Sequence, residues 1–217
     1  MPENTGYFIA FEGIDGCGKS SVLPLVERRL AESGFKCLIT HEPRRESPWG
    51  RKIYKILHGE LPMISNLELQ KLYVEDRYDH VVNEIKPALR RGEIVLADRY
   101  WLSTLAYGMI SNALDDLINL HNEIFNGDFL KPDITFVFDL PAKTALERLK
   151  NISKGNDHFE QIDKLSLVRK NYLALCQTVN ANCAVVDASR SLDSIADTIL
   201  LQLLPRLPAR KTKEDTI

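Results

Sequence analysis

The chain of 217 residues carries 28 Lys and Arg against 30 Asp and Glu, a formal net charge of −2, so it has no overall basic field with which to hold a nucleic acid polymer. At 44% apolar and 27% charged it has the composition of a folded domain, at a length suited to one compact unit spanning 1–217. Its apolar runs, such as 94–97 and 134–138, fall far short of the roughly 18 residues that cross a bilayer, and residues 1–6 carry no export pattern, which predicts a cytoplasmic protein without membrane contact.

Five short β-branched or aromatic runs, 7–12, 36–41, 93–98, 133–139 and 183–187, predict buried strands. Between the first two, Leu23, Val26 and Leu30 recur at helical spacing before Gly34, although Pro24 removes a donor and should bend or delay that helix. A long helical pattern over 67–91 stops at Gly92. Strands alternating with helices imply crossover connections, hence an α/β fold on a five-stranded, largely parallel sheet flanked by helices. The polar stretch 151–157 between two helical patterns reads as a surface loop or a mobile flap, and 206–217 as a frayed solvated tail. Cys17, Cys37, Cys176 and Cys183 form no CxxC pair and are expected as reduced thiols.

The first strand runs into Gly13-Ile14-Asp15-Gly16-Cys17-Gly18-Lys19-Ser20, a GxxxxGK[ST] match followed by Ser21 and a helical pattern. Glycines let the backbone turn around an anion and aim its N–H groups inward, and the helix start adds its positive dipole end. Lys19 then reaches the outer phosphates of a triphosphate, the Ser20 hydroxyl can ligate Mg²⁺, and Cys17 serves as a small filler. Asp98, at the end of the third strand, faces the metal side as a Walker-B-like carboxylate.

A hydrolase needs only water beside its triphosphate, whereas a kinase must hold a second substrate, so a second cationic cluster is informative. Arg44 and Arg45 follow the second strand and Arg99 follows the third, both at the carboxyl edge of the sheet, where open α/β sheets bind ligands. In the long helix, Tyr73 and Arg77 stand at i and i+4 on one face, where they suit a flat base or, alternatively, simple packing beside an exposed charge.

Together with Phe11-Glu12 before the cradle, Glu42-Pro43, Asp98-Arg99-Tyr100, Ser103, Ala106-Tyr107, Asp157-His158-Phe159-Glu160 and Val186-Asp187-Ala188-Ser189, the chain resembles the thymidylate kinases over residues 7–204. The resemblance implies the P-loop nucleoside monophosphate kinase fold with a small lid, here about 151–157, ATP and Mg²⁺ as donor and metal, dTMP as small-molecule substrate, and a homodimer. It implies that Asp15 approaches the acceptor sugar, that Arg45 and Arg99 contact the acceptor phosphate with Ser103 beside them, and that Tyr73 stacks on the base. On the same basis Arg77 meets the base edge, Tyr107 crowds the 2′ position, and Ser189 and Arg190 lie at the adenine of ATP. Two departures stand out: neither the cradle, with Gly16, nor the lid, with Lys154 alone, offers an arginine, although Arg148 and Lys150 precede the lid; and Gly108 and the 44–48 stretch differ from the common pattern. A lysine cannot grip phosphate bidentately, which predicts slow turnover or a substitute cation.

The expected reaction moves the γ-phosphoryl group of ATP to an anionic phosphate oxygen of dTMP, so no general base is needed. Two competitors are a deoxynucleoside kinase with Glu42 as base and a nucleotide-binding regulatory protein of weak turnover. A GTP switch is disfavoured because no Asn-Lys-x-Asp stretch occurs.

Overall fold

A sheet of five strands, β1 (Tyr7–Glu12), β2 (Cys37–His41), β3 (Ile94–Asp98), β4 (Ile134–Asp139) and β5 (Cys183–Asp187), forms the centre of the molecule in the order β2-β3-β1-β4-β5, every neighbouring pair parallel. The computed structural model describes residues 6–150, 158–179 and 182–207. The three central strands are buried on both faces, as their unbroken apolar runs dictate, while β2 and β5 at the edges are half exposed. The fourth strand starts one residue later than predicted; just before it, the Asp133 carboxylate accepts from the Phe8 N–H at 2.6 Å while the Asp133 N–H donates to Phe8 O at 2.8 Å.

Helices α1 (Lys19–Glu32), α2 (Pro48–Leu57), α3 (Asn66–His80), α4 (Lys86–Arg90), α5 (Trp101–Gly108), α6 (Leu114–Phe125), α7 (Ala142–Lys150), α8 (His158–Thr178) and α9 (Leu192–Leu203) connect and cover the strands. Pro24 does not delay α1, which starts at Lys19; the acceptor left without its helical donor is the carbonyl of exposed Ser20, within reach of water. The predicted segment 67–91 is α3 and α4 joined by a π turn (Val81–Ile85), in which the Lys86 N–H reaches back to Val81 O immediately before Pro87, a residue with no N–H to give. Gly92, at φ 77°, ends it.

The cysteine expectation is corrected for one pair: Cys176 near the end of α8 and Cys183 at the start of β5 are joined as a disulfide, because the chain reverses between them and brings their Cα atoms to 5.4 Å. Cys17 and Cys37 are free. No helix among the described residues is long and apolar enough to cross a membrane.

The chain leaves β1 through α1 towards β2 on one side and leaves β3 towards β4 on the other. The carboxyl ends of the adjacent strands β1 and β3, paired at Phe11 and Asp98, therefore border the crevice where α/β sheets bind ligands.

Candidate active site

Gly13, Gly16 and Gly18 all take positive φ, at 141°, 79° and 100°, so the turn after β1 curls before entering α1. At Gly16 the need is also steric: a Cβ there would stand 2.3 Å from Ala145 O of α7. A side chain at position 16 would thus press on the α7 backbone. Lys19 is buried and its Nζ donates to Gly13 O (3.0 Å) and Ile14 O (3.2 Å), so the ammonium lies along the loop it would complete. Cys17 is fully buried, in keeping with a filler.

The Ser20 hydroxyl donates to Asp98 Oδ2 at 2.5 Å, placing the first residue after the loop lysine against the end of β3. A hydroxyl and a carboxylate fit a magnesium ion, which takes few protein ligands and fills its octahedron with phosphate oxygens and water. Among the described residues no group of three or more His, Cys, Asp or Glu offers an all-protein cage instead.

Arg99, next along the chain, has φ 71° and donates its N–H to Phe11 O at 2.9 Å, which swings its side chain back across β1. Its Nη2 meets Asp15 Oδ1 at 2.6 Å, and its Nη1 donates to Ser103 Oγ (3.1 Å) and the Tyr172 hydroxyl (3.2 Å). Asp15 also accepts from the Tyr107 hydroxyl at 3.0 Å. Crowding by protein atoms pushes the Asp15 pKa up, but the Arg99 and Lys19 charges and the Tyr107 hydrogen bond outweigh it and hold the carboxyl below its usual value. Below this pair Glu12 is fully buried and accepts from Tyr100 N (2.9 Å), Ser103 N (3.2 Å) and Ser103 Oγ (2.6 Å). Burial pushes its carboxyl up to about 6 against the pull of Ser103 and Arg99.

Arg99, Asp15, Ser103 and Tyr107 line a cavity of about 410 Å³ together with Gln70, Tyr73 and Arg77 of α3. Tyr73 is half buried with its hydroxyl pKa raised by that burial. Arg77 borders the cavity but is only 1% exposed, and all three guanidinium nitrogens donate to protein acceptors: Nε to Glu42 Oε2 (2.8 Å), Nη2 to Tyr100 O (2.9 Å), and Nη1 to Thr104 Oγ1 (3.0 Å) and His121 Nε2 (2.8 Å). His121 Nδ1 faces Leu117 O at 2.7 Å, so that nitrogen carries the proton; burial first, then the Arg77 charge, push its pKa down to about 3.

Glu42, weighed above as a base, is buried with one oxygen on Arg77 and the other 3.0 Å from His80 Nδ1, and so is engaged in holding these elements together. Arg44 is also held inside the protein, although its buried Nε has no partner: its N–H donates to Asp76 Oδ2 (2.9 Å) and its guanidinium pairs with Asp79, which ties the β2–α2 loop to α3. Arg45 is exposed, lies over the Tyr54 ring at 5.2 Å, and lines a neighbouring cavity of about 460 Å³ that shares Pro43 and Leu57 with the first.

Ser189 and Arg190 follow β5, where both bond Asp187; the Ser189 N–H and hydroxyl lie 3.0 and 2.6 Å from its Oδ1. Arg148 of α7 joins this turn to the phosphate loop, its Nη2 donating to Ala188 O (3.2 Å) and its Nη1 to Cys17 O (3.5 Å). Lys154, the flap 151–157 and the tail from 208 onward lie outside the described residues. The structure also brings in groups the sequence reading gave no role: Glu12 and Tyr172 under Arg99, and Gln70 and the exposed Lys164 of α8 on the cavity wall. Only Gln70 had a local signal, lying one helical turn from Tyr73 on the same face.

The thymidylate kinase family model matches residues 11–199. Thymidylate kinases of Halothermothrix orenii (37% identical over 196 residues, 88% of this chain and 92% of the relative) and Geotalea daltonii (37% over 213 residues, 93% and 98%) are similar to it along nearly their whole lengths. That of Geobacter sulfurreducens is 35% identical over 215 residues, covering 94% of this chain and all of the relative. On this match and on the phosphate loop, crevice and cavity described above, the chain belongs to the thymidylate kinase family.

Proposed function

We infer that the chain transfers the γ-phosphoryl group of ATP to dTMP, giving ADP and dTDP. The observation that carries the reading is the Arg99–Asp15 pair, which is at once the rim of the phosphate loop and a wall of a separate cavity large enough for a nucleotide. A kinase needs two anion sites that share a boundary; a hydrolase does not.

In this reading Gly13, Gly16, Cys17, Gly18 and Ser21 cradle the ATP phosphates with their backbone, Lys19 neutralises the transferred group, and Ser189, Arg190 and the adjacent Arg148 border the adenine. Ser20 and Asp98 hold Mg²⁺, which when bound supplies further charge neutralisation. Arg99 offsets repulsion between the two anionic substrates and Ser103 steadies it. Asp15 and Tyr107 meet the acceptor sugar, and Tyr73 stacks on the base. Arg45 is the second guanidinium assigned to the acceptor phosphate, which requires it to leave the Tyr54 ring. Arg77, its nitrogens committed, borders the base and positions Glu42 and Tyr100. Lys154 is the flap's cation, and Lys164 is a second candidate, already on the cavity wall. The acceptor oxygen is anionic near neutral pH, so these groups align and neutralise, and no residue removes a proton. Assembly as a homodimer, on the family resemblance alone, and a cytoplasmic location complete the reading.

An ADP-release assay with dTMP, dUMP and thymidine as acceptors tests it. Turnover with dTMP and none with thymidine is expected; turnover with thymidine alone would instead favour a nucleoside kinase.

A further inference from the structure

We propose that Gln70 reads the edge of the acceptor's base, and that its side-chain amide sets a preference for a 4-keto over a 4-amino pyrimidine. The inference rests on the reading of the main cavity as the acceptor site. Gln70 stands on the α3 face that lines this cavity, one turn before Tyr73, and is 4% exposed. Among the described residues its amide has no protein partner. Three other polar residues lining the cavity are already engaged: Arg77 with Glu42, Thr104 with Arg77, and Asn66 Oδ1 with Asn112 Nδ2 at 2.7 Å. Neither Gln70 amide atom is sealed inside the protein, so a ligand entering the cavity can supply the donor and acceptor that the amide lacks.

Room for this side chain depends on Gly108 across the helix interface. A Cβ at position 108 would stand 3.3 Å from Gln70 Cγ and 2.7 Å from Leu117 Cδ1. The amide therefore enters the cavity on a stem seated against bare backbone. It presents an acceptor and a donor side by side, the complement of the N3–H and C4=O edge of a keto pyrimidine. A 4-amino pyrimidine reverses both groups. The amide would have to turn over, and the positive Arg77 on the same wall favours a carbonyl oxygen over an amino group.

The test is steady-state kinetics with dTMP and dCMP on the wild type, on Gln70→Met, which fills the same space without polar atoms, and on Gln70→Glu, which keeps acceptors and loses the donor. Gln70→Met is expected to raise KM for dTMP about tenfold or more, to leave KM for ATP within about twofold, and to lower the dTMP-to-dCMP ratio of kcat/KM by about tenfold. Gln70→Glu should lower that ratio further, because a carboxylate repels the keto oxygen and accepts from the amino group. A side chain that only packs would move both nucleotides alike, so an unchanged ratio in both variants overturns the assignment. Should Gln70→Met fail to fold, the ratio in Gln70→Glu decides by the same criterion. A wild type that phosphorylates neither nucleotide overturns the acceptor-site reading itself, a result distinct from an active wild type with indifferent variants.

Discussion

Arg99 and Asp15 lie 2.6 Å apart although 84 positions separate them, and this contact closes the gap between the ends of β3 and β1. One carboxylate from the phosphate loop and one guanidinium from the crevice thereby fix the distance between two anion sites. The pair also explains the left-handed backbone at Arg99, a conformation uncommon outside glycine: it turns the side chain back over β1 instead of along α5.

The cationic machinery is the first thing to remove. Lys19→Ala is expected to lower kcat about 100-fold or more, and Arg99→Ala to lower kcat/KM for dTMP by a similar factor while KM for ATP stays within about threefold. Steady-state assays with each substrate varied in turn check both, and near-wild-type turnover in either variant contradicts its assigned role.

Ser20 and Asp98 should be read through the metal. Asp98→Asn is expected to shift the Mg²⁺ titration of activity to concentrations about tenfold higher or more, with Ser20→Ala acting in the same direction more weakly. An unchanged Mg²⁺ dependence in both variants would remove them from the metal site.

Gly16 answers the missing cradle arginine by packing. Gly16→Ala forces a side chain into positive φ and against Ala145 O, and is expected to cost about 1–3 kcal/mol of stability by urea denaturation. Gly16→Arg should therefore lose stability rather than gain turnover. A stable, faster Gly16→Arg enzyme would show that the loop tolerates what its geometry forbids.

His121 makes a prediction in pH. Its folded pKa of about 3 lies below the usual His value of 6.5, so the neutral ring stabilises the fold above pH 6.5, and that stability is lost as pH falls towards 3. The difference in unfolding free energy between wild type and His121→Asn should fall by roughly 1.4 kcal/mol per pH unit between pH 6.5 and 4.5. Glu12, with its carboxyl raised to about 6, acts in the opposite sense, losing stability as pH rises from 4.5 to 6, which is why the difference and not the raw curve is the readout. A flat difference contradicts the buried neutral ring.

The strands and the phosphate loop were legible because their signals are local: an unbroken apolar run such as Phe8 to Phe11 followed by glycines at fixed spacing leaves few alternatives. The π turn before Pro87 was not, since a helix with one shifted turn has the composition of any other. Tyr73 and Arg77 were placed on one helix face correctly, but the partners that occupy Arg77 come from three other parts of the chain, at Glu42, Thr104 and His121, and no spacing on α3 encodes them. The Cys176–Cys183 bond escaped for the same reason, since it depends on a reversal between α8 and β5. Arg45 was read beside Arg99 because both follow strands, yet the side chain turns to Tyr54, a contact made after the chain has passed through the next loop.

The most direct measurement follows the phosphoryl group itself, with ATP labelled at its γ-phosphate incubated with the protein, Mg²⁺ and dTMP. The account predicts that the label appears in dTDP as its terminal phosphate. Label recovered only as inorganic phosphate would contradict it.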